Sequence, residues 1–354
     1  MRSSHPILLF LGILMLIDVA AFASPIKSDE EIVFFPTAAR LSPDNRQWIL
    51  PIRAWVFEPE HDSLWRRATL SVLTLALGLD DGAADNEIFR KRARWFLVDN
   101  ERGKSFKLTI WKDRALGPSQ PNGHLQGDIT LQRRGPGAEP GSFWLRYAAV
   151  LPPGDTRLFR GEALFPGSAG LSVISDIDDT IKISNVTDKE ALLANTFLKP
   201  FEATPGTPAA YRRLAATGAV FHYVSSSPWQ LYPSLRAFMD ASGFPVGSFH
   251  LKDFRVKDST FFNMFTSSTK SKPPVIEALL AAYPNRLFIL IGDSGEQDPE
   301  IYGAIARRHP DRIRHIYIRT VTPETARDAR YRNAFAGLPA ARWTLFRNGA
   351  EIAP

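Results

Sequence analysis

The chain contains no cysteine. That absence excludes disulfides, thiolate metal sites and cysteine nucleophiles together, so stability has to come from packing. It also lacks an internal repeat, a low-complexity segment and any apolar run of the ~20 residues needed to span a bilayer. The apolar run 7–17 is stopped by Asp18, and the stretch 69–79 is again too short and reads as a core strand. Basic residues do not gather in one block. With 44% hydrophobic and 23% charged residues among 354, the composition is that of a globular chain long enough for two domains with separate cores.

What is present at the start is a targeting pattern. Arg2, the apolar run 7–17 and the small-x-small triplet Ala21-Phe22-Ala23 have the layout of a secretory signal peptide, residues 1–23, which predicts export to the periplasm or medium with cleavage after Ala23. An uncleaved anchor is the alternative. The formal charge is +6, and it stays so after cleavage because Arg2 and Asp18 cancel. A basic chain favours anionic partners, among which charge alone does not choose; a phosphorylated ligand and peripheral contact with a membrane surface are expected, and no nucleic acid. Nothing in the pattern speaks to oligomeric state.

Residues 24–165 carry short apolar and aromatic runs cut by turn residues, at 31–35, 48–57, 70–77, 94–98, 106–111, 127–131 and 142–150. This predicts a β-rich domain, a sandwich or barrel, with Trp95, Trp111 and Trp144 as core or cross-strand aromatics. Residues 115–123, with Pro118 and Pro121, read as a loop. After Gly167 the texture changes: strands are expected at 172–175, 220–224, 287–291 and 314–318, and helices at 207–217, 228–242, 273–283 and 299–308, three of them opening on proline. That alternation is the pattern of an α/β domain with a parallel sheet, over 166–330, followed by a C-terminal extension, 331–354, packed on it.

The chemistry concentrates at strand ends. Ser175-Asp176-Ile177-Asp178-Asp179-Thr180 follows the first expected strand, and Gly292-Asp293-Ser294-Gly295-Glu296-Gln297-Asp298 follows the third. Carboxylates are unfavourable to crowd unless a cation compensates them, and two acidic clusters at the carboxyl ends of neighbouring strands describe a divalent-metal site, with Mg2+ the natural hard ion. An acidic turn capping the next segment is the plainer explanation for either cluster alone. Between them, Ser225-Ser226-Ser227-Pro228-Trp229 offers hydroxyls and amides at what reads as a helix start, a place that favours anions. Lys270 and Lys272 precede the helix expected from Pro273.

These pieces, in this order, resemble the haloacid dehalogenase-like phosphohydrolases. The strings Asp176-Ile177-Asp178-Asp179-Thr180-Ile181-Lys182, Ser227-Pro228-Trp229-Gln230-Leu231-Tyr232 and Gly292-Asp293-Ser294-Gly295-Glu296-Gln297-Asp298-Pro299-Glu300-Ile301-Tyr302 resemble one branch of that family, the actin-patch-associated phosphatidate phosphatases, over about 167–321. The resemblance implies a Rossmann-like parallel sheet with helices on both faces. It also implies roles: Asp176 as nucleophile and magnesium ligand, Asp178 as general acid and base with its carbonyl on the metal, and Thr180 as an orienting group. Ser225 and Ser226 would hold phosphate, Lys272 in preference to Lys270 would neutralise charge, and Asp293 with Asp298 would complete the metal site.

The activity implied is hydrolysis of a phosphomonoester, phosphatidate or a related lipid phosphate, through an aspartyl-phosphate. Two other readings remain open: an exported phosphatase for soluble esters, and a non-catalytic phospholipid-binding module. Residues 183–204 are too few for a large lid and 243–269 would make at most a small hairpin, so an open site is expected, with Phe261, Phe262, Met264 and Phe265 serving the core or touching lipid.

Overall fold

The strand Gln47–Glu58 shows how the amino-terminal half is built. Side chains alternate between faces of a strand: Leu50, Ile52, Ala54 and Val56 point into one apolar core, while Trp55 and Phe57 point into another. The first core lies between two five-stranded sheets, found among the residues that the computed structural model describes, namely 23–59, 70, 73–75, 77–133, 141–253 and 268–353. Phe34, Leu125, Tyr147 and Phe165 fill it, which makes a β-sandwich. The second core is shared with the α/β half, where Phe35 packs on Trp229 and Tyr232.

Two stretches expected as strands are helical. Leu70 and residues 73–75 and 77 are helical, with Leu70, Leu73 and Leu77 buried and Leu75 81% exposed, a three-to-four-residue period that a strand cannot produce. Residues 94–98 hold the short 3-10 turn Arg94–Phe96, directly after the helix Glu87–Ala93. Asn86 caps that helix through the backbone N–H groups of Ile88 and Phe89, and this polar start is what ends any strand there.

The strands of the α/β half are β1 (Gly170–Ser175), β2 (Val220–Pro228), β3 (Gly247–Lys252), β4 (Arg286–Asp293), β5 (Ile313–Arg319) and β6 (Trp343–Phe346). All pairings between them are parallel, in the order β3-β2-β1-β4-β5-β6. Helices α1 (Thr207–Ala216) and α2 (Tyr232–Ser242) cover the face that carries Val173, Phe221 and Ile289. Helices α3 (Ser268–Ala282), α4 (Asp298–Arg308) and α5 (Ala329–Ala334) cover the face of Ile174, Val224 and Leu290. The direction of winding reverses between β1 and β4, and the carboxyl ends of the strands flanking such a point form a ligand crevice.

Three expectations change here. The segment 243–269 supplies β3, a full edge strand, in place of one half of a hairpin; Phe261, Phe262, Met264 and Phe265 lie outside the described residues. The segment 331–354 supplies β6, paired with β5 from Ile316↔Trp343 to Arg319↔Phe346, so the sheet itself continues into what read as an extension. Helix α3 begins at Ser268 and runs through Pro273 and Pro274, although each proline lacks a donor for the helical ladder. The targeting pattern of residues 1–23 lies outside the described residues, save Ala23; among those described, no helix is long and apolar enough to cross a membrane.

Buried histidines set the acid limit of this fold. Burial pushes His250 down to about 4, with Arg53 adding to the effect, and His124 down to about 3. A histidine whose pKa is depressed on folding contributes stability that is complete above the unfolded value near 6.5 and lost as pH falls toward the folded value. Resistance to urea unfolding should therefore fall as pH drops from about 6.5 to about 4. The variant His250→Gln should show a slope shallower by about one proton over that window; an identical slope would contradict the assignment.

Candidate active site

The parallel register of β1 and β4 brings the two acidic clusters together. Ser175 pairs with Ile291, and the Asp176 N–H donates to the Ile291 carbonyl at 2.9 Å, so Asp176 and Asp293 leave neighbouring strand ends side by side. Asp298 opens α4 and turns back: its Oδ2 accepts from the Asp293 N–H at 3.3 Å. This contact requires Gly292, since a Cβ there would stand 2.2 Å from Asp298 Oδ2. One oxygen from each of Asp176, Asp293 and Asp298 lies within 4.8 Å of the others, and all three side chains are buried.

Lys272 projects into this cluster from α3. Its Nζ lies 2.9 Å from Asp176 Oδ1, 2.6 Å from Asp298 Oδ1 and 2.8 Å from Glu296 Oε2. It is a residue of the helix, not of a preceding loop as the sequence suggested, and the helix holds the ammonium rigidly among the carboxylates. Burial lowers the lysine's pKa, but Asp176, Asp298 and Glu296 reverse this and hold it well above its ordinary value. Burial pushes Asp176 and Asp293 well above the carboxylate range; Lys272 opposes this and the neighbouring carboxylates reinforce it. Asp176 Oδ2 and Asp293 Oδ2 are buried with no hydrogen-bond partner. Oxygen donors crowded in this way, with lone pairs unspent, fit a hard divalent cation, which would reverse the pKa shifts of both carboxylates.

Asp178 stands apart from the three. Its carboxylate accepts from Ser227 Oγ at 2.8 Å, Ser225 Oγ at 3.2 Å and Ser184 Oγ at 2.8 Å, and pairs with Lys182 Nζ at 2.7 Å. Burial raises its pKa, but Lys182 and the hydroxyls of Ser227 and Ser184 outweigh burial and bring it to about 2. Asp179, the third acid of the run, has no part in the cluster. It adopts φ 54° and accepts from the N–H groups of Ser184, Asn185 and Val186. That is the capping role an acidic turn has by default, and here it shapes the loop that delivers Lys182 and Ser184 to Asp178.

The three serines do not sit at a helix start. They bulge from β2, where Val224 pairs with His250 and the next pair is Pro228 with Lys252, so three residues on β2 face one on β3. Helix α2 begins only at Tyr232, after the turn Trp229–Leu231. Ser225 and Ser227 reach Asp178, whereas Ser226 faces Ser271 of α3 at 3.2 Å. The Thr180 side chain is buried with Oγ1 unpartnered, while its carbonyl accepts from Thr204 Oγ1.

Sequence reasoning missed Glu296, Lys182, Ser184, Ser227 and Arg330 as site residues. Glu296 and Lys182 lie inside strings already singled out, so a count of compensating charges would have found them. Arg330 gave no such signal. From α5 it donates to the carbonyls of Ser294 and Glu296, both at 2.5 Å, and to Glu300 at 2.7 Å, clamping the loop between Asp293 and Asp298.

Similarity to known proteins falls on this half. Residues 171–320 match the family described as phosphatidate phosphatase APP1, catalytic domain. The phosphatidate phosphatase APP1 of Saccharomyces cerevisiae is 39% identical over 154 residues, 42% of this chain and 26% of that one. An uncharacterised protein of Schizosaccharomyces pombe is 34% identical over 156 residues, 43% of this chain and 25% of that one. The match thus spans about a quarter of the length of these curated relatives, and residues 171–320 contain Asp176, Asp178, Lys272, Asp293 and Asp298.

The charge balance predicts opposite responses to two substitutions in buffer free of divalent ions. Lys272→Met leaves buried carboxylates uncompensated and should cost about 3–5 kcal/mol in urea unfolding. Asp293→Asn removes one charge from a site with an excess of them and keeps an oxygen for the N–H groups of Gly295 and Glu296, which now donate to Asp293 Oδ1. It should leave stability unchanged or raise it. Equal losses in the two variants would contradict this account.

Proposed function

With residues 171–320 forming a domain like the catalytic domain of phosphatidate phosphatase APP1, we propose that this chain is a magnesium-dependent phosphomonoester hydrolase of the haloacid dehalogenase-like kind. Its substrate would be phosphatidate or a related lipid phosphate, and its intermediate an aspartyl-phosphate. The observation that carries the reading is the buried trio Asp176, Asp293 and Asp298, whose oxygens come within 4.8 Å of one another beside the Lys272 ammonium. A purely structural cluster has no use for three desolvated carboxylates, two of them with an oxygen left unpartnered. We also read residues 1–23 as an export signal cleaved after Ala23.

Magnesium held by Asp176, Asp293 and Asp298, with the Asp178 carbonyl, would supply charge neutralisation for phosphoryl oxygens and for the carboxylates themselves. The remaining work belongs to side chains. The free Oδ2 of Asp176 attacks phosphorus in line, forming the O–P bond as the bond to the leaving alkoxide breaks. Lys272 screens the charge of the attacking group, and Ser225 with the Ser226 region of the β2 bulge receives phosphoryl oxygens. Asp178 gives its proton to the alkoxide and afterwards takes one from the water that hydrolyses the aspartyl-phosphate, which frees phosphate and restores Asp176. Before substrate binds, Lys182, Ser184 and Ser227 hold Asp178 as a carboxylate; an anionic phosphate placed beside it favours the protonated form that the first step needs.

Phosphate release from phosphatidate vesicles with magnesium should be abolished by Asp176→Asn with the fold intact, and by chelation of divalent ions. Release from soluble esters alone would move the substrate to small phosphomonoesters. A wild-type chain inert on every phosphoester with magnesium present would make a non-catalytic binding module the better reading.

Asp178→Asn should slow alkyl phosphates by about 10²–10⁴-fold and aryl phosphates, whose leaving groups need little protonation, by much less. Equal losses on the two would remove the acid role.

A further inference from the structure

A second cleft lies at the seam of the two halves, away from the carboxylate cluster. It has a volume of about 710 Å³, in the range that holds a small organic molecule, and its lining draws on both halves. The sandwich contributes Phe34, Arg146, Tyr147 and Arg160, and α2 contributes Tyr232. Beside the cleft, the strand Arg160–Phe165 pairs with Thr37–Ala38 only at Ala163 and Leu164, so Arg160, Gly161 and Glu162 have no strand on that side among the described residues.

The charges here are arranged unusually. In the antiparallel ladder Glu162 stands opposite Arg146, and Arg160 stands opposite Ala148, which places the two arginines diagonally on one face. The obvious partner for Arg146 is Glu162. That carboxylate is instead engaged by Arg236 of α2 at 2.6 Å, itself anchored to Asp240 at 2.9 Å. Arg146 and Arg160 are thereby left without a carboxylate or a hydrogen-bond partner among the described residues, although both line the cleft. Both guanidiniums are exposed, so an anion reaches them without breaking a protein contact. A separate observation concerns Tyr147. Its ring lies over Gly161, where a Cβ would meet the hydroxyl at 2.8 Å, and that hydroxyl is buried without a partner. Tyr147 alternates with Arg146 along the strand, so its ring closes the sandwich side of the cleft while the arginines stand on the face toward α2.

We propose that this cleft binds a small organic anion. Its charged group, a phosphate, sulfonate or carboxylate, bridges the guanidiniums of Arg146 and Arg160, whose planar forks match such groups, and its apolar body lies against Phe34 and Tyr232. Phe34, Tyr147 and Tyr232 are each less than a tenth exposed, so the apolar wall is pre-formed. None of the lining residues belongs to the carboxylate cluster, and the inference stands whether or not the chain is a phosphatase.

The probe is 8-anilinonaphthalene-1-sulfonate, an aromatic anion with no hydrolysable phosphate, titrated by fluorescence against the whole chain. Saturable binding at one site is expected. Arg146→Gln combined with Arg160→Gln should weaken it about tenfold or more, because two charged hydrogen-bonding partners are lost. Ala148→Trp, which fills the cleft, should abolish it, and the double-arginine variant should keep the wild-type melting temperature. Competition then identifies the source of the anion. Displacement by monomeric octanesulfonate points to a soluble ligand, and displacement by phosphatidylglycerol vesicles but not by phosphatidylcholine vesicles points to a lipid head group. No saturable binding, equal affinity in the double-arginine variant, or failure of both competitors would overturn the proposal.

Discussion

One buried ammonium group organises the α/β half of this molecule. Lys272 Nζ is within 2.9 Å of three carboxylates, Asp176, Glu296 and Asp298, that come from two separate strand ends. An ion removed from water is tolerated only when its partners are close and its donors are used, and an ammonium has three donors. The lysine donates to Glu296 and Asp298 and holds Asp176 by charge, yet with Asp293 the site still holds more negative than positive charge. That imbalance leaves Asp176 Oδ2 and Asp293 Oδ2 unsatisfied, and it suits the cluster to a further cation, which a balanced ion pair would not accept.

Asp178 is served by separate machinery. The left-handed turn at Asp179, held by three backbone N–H groups on its side chain and by Arg319 on its carbonyl at 2.7 Å, brings Lys182 and Ser184 under the Asp178 carboxylate. The β2 bulge brings Ser225 and Ser227 from the other side. Two acids two residues apart thus have opposite environments: Asp176 is pushed up by burial among like charges, whereas Asp178 is pulled down to about 2 by Lys182 and hydroxyls that outweigh its burial. Divergence of this kind between neighbouring carboxyls is how a site assigns different proton duties to one residue type.

The amino-terminal sandwich is joined to this half through a continuous apolar contact. Phe35, Trp55 and Phe57 leave the sandwich on the face opposite its own core and join an apolar cluster shared with the α/β half, in which Phe35 packs on Trp229 and Tyr232 directly after the serine bulge. Arg53, on the same strand, lies 4.2 Å from the Trp229 ring centroid and pairs with Asp253 beyond β3. The segment that carries the serines is therefore backed by the sandwich, which gives the β-rich half a mechanical part in holding the site whatever else it binds.

The carboxylate cluster was legible from the chain because it is carried by short contiguous strings at strand ends. Carboxylates at Asp176, Asp178, Asp293 and Asp298 state their charge in the sequence, and a parallel sheet with apolar strands leaves few places for those ends to go. What needed the tertiary structure were relations that cross many residues or that local patterning misreports. Leu70 and Leu77 lie in an apolar run that suits a strand, and only the burial of every third or fourth residue marks it as helical. Trp343–Phe346 becomes the sixth strand because β5 exposes an unpaired edge, a fact no local pattern contains. Arg330 clamps the Asp293 loop from a helix with no motif of its own. Composition and spacing decided which groups would be available, since charge and hydrophobicity belong to each residue alone; packing decided which of them meet, since distance and burial belong only to the folded chain.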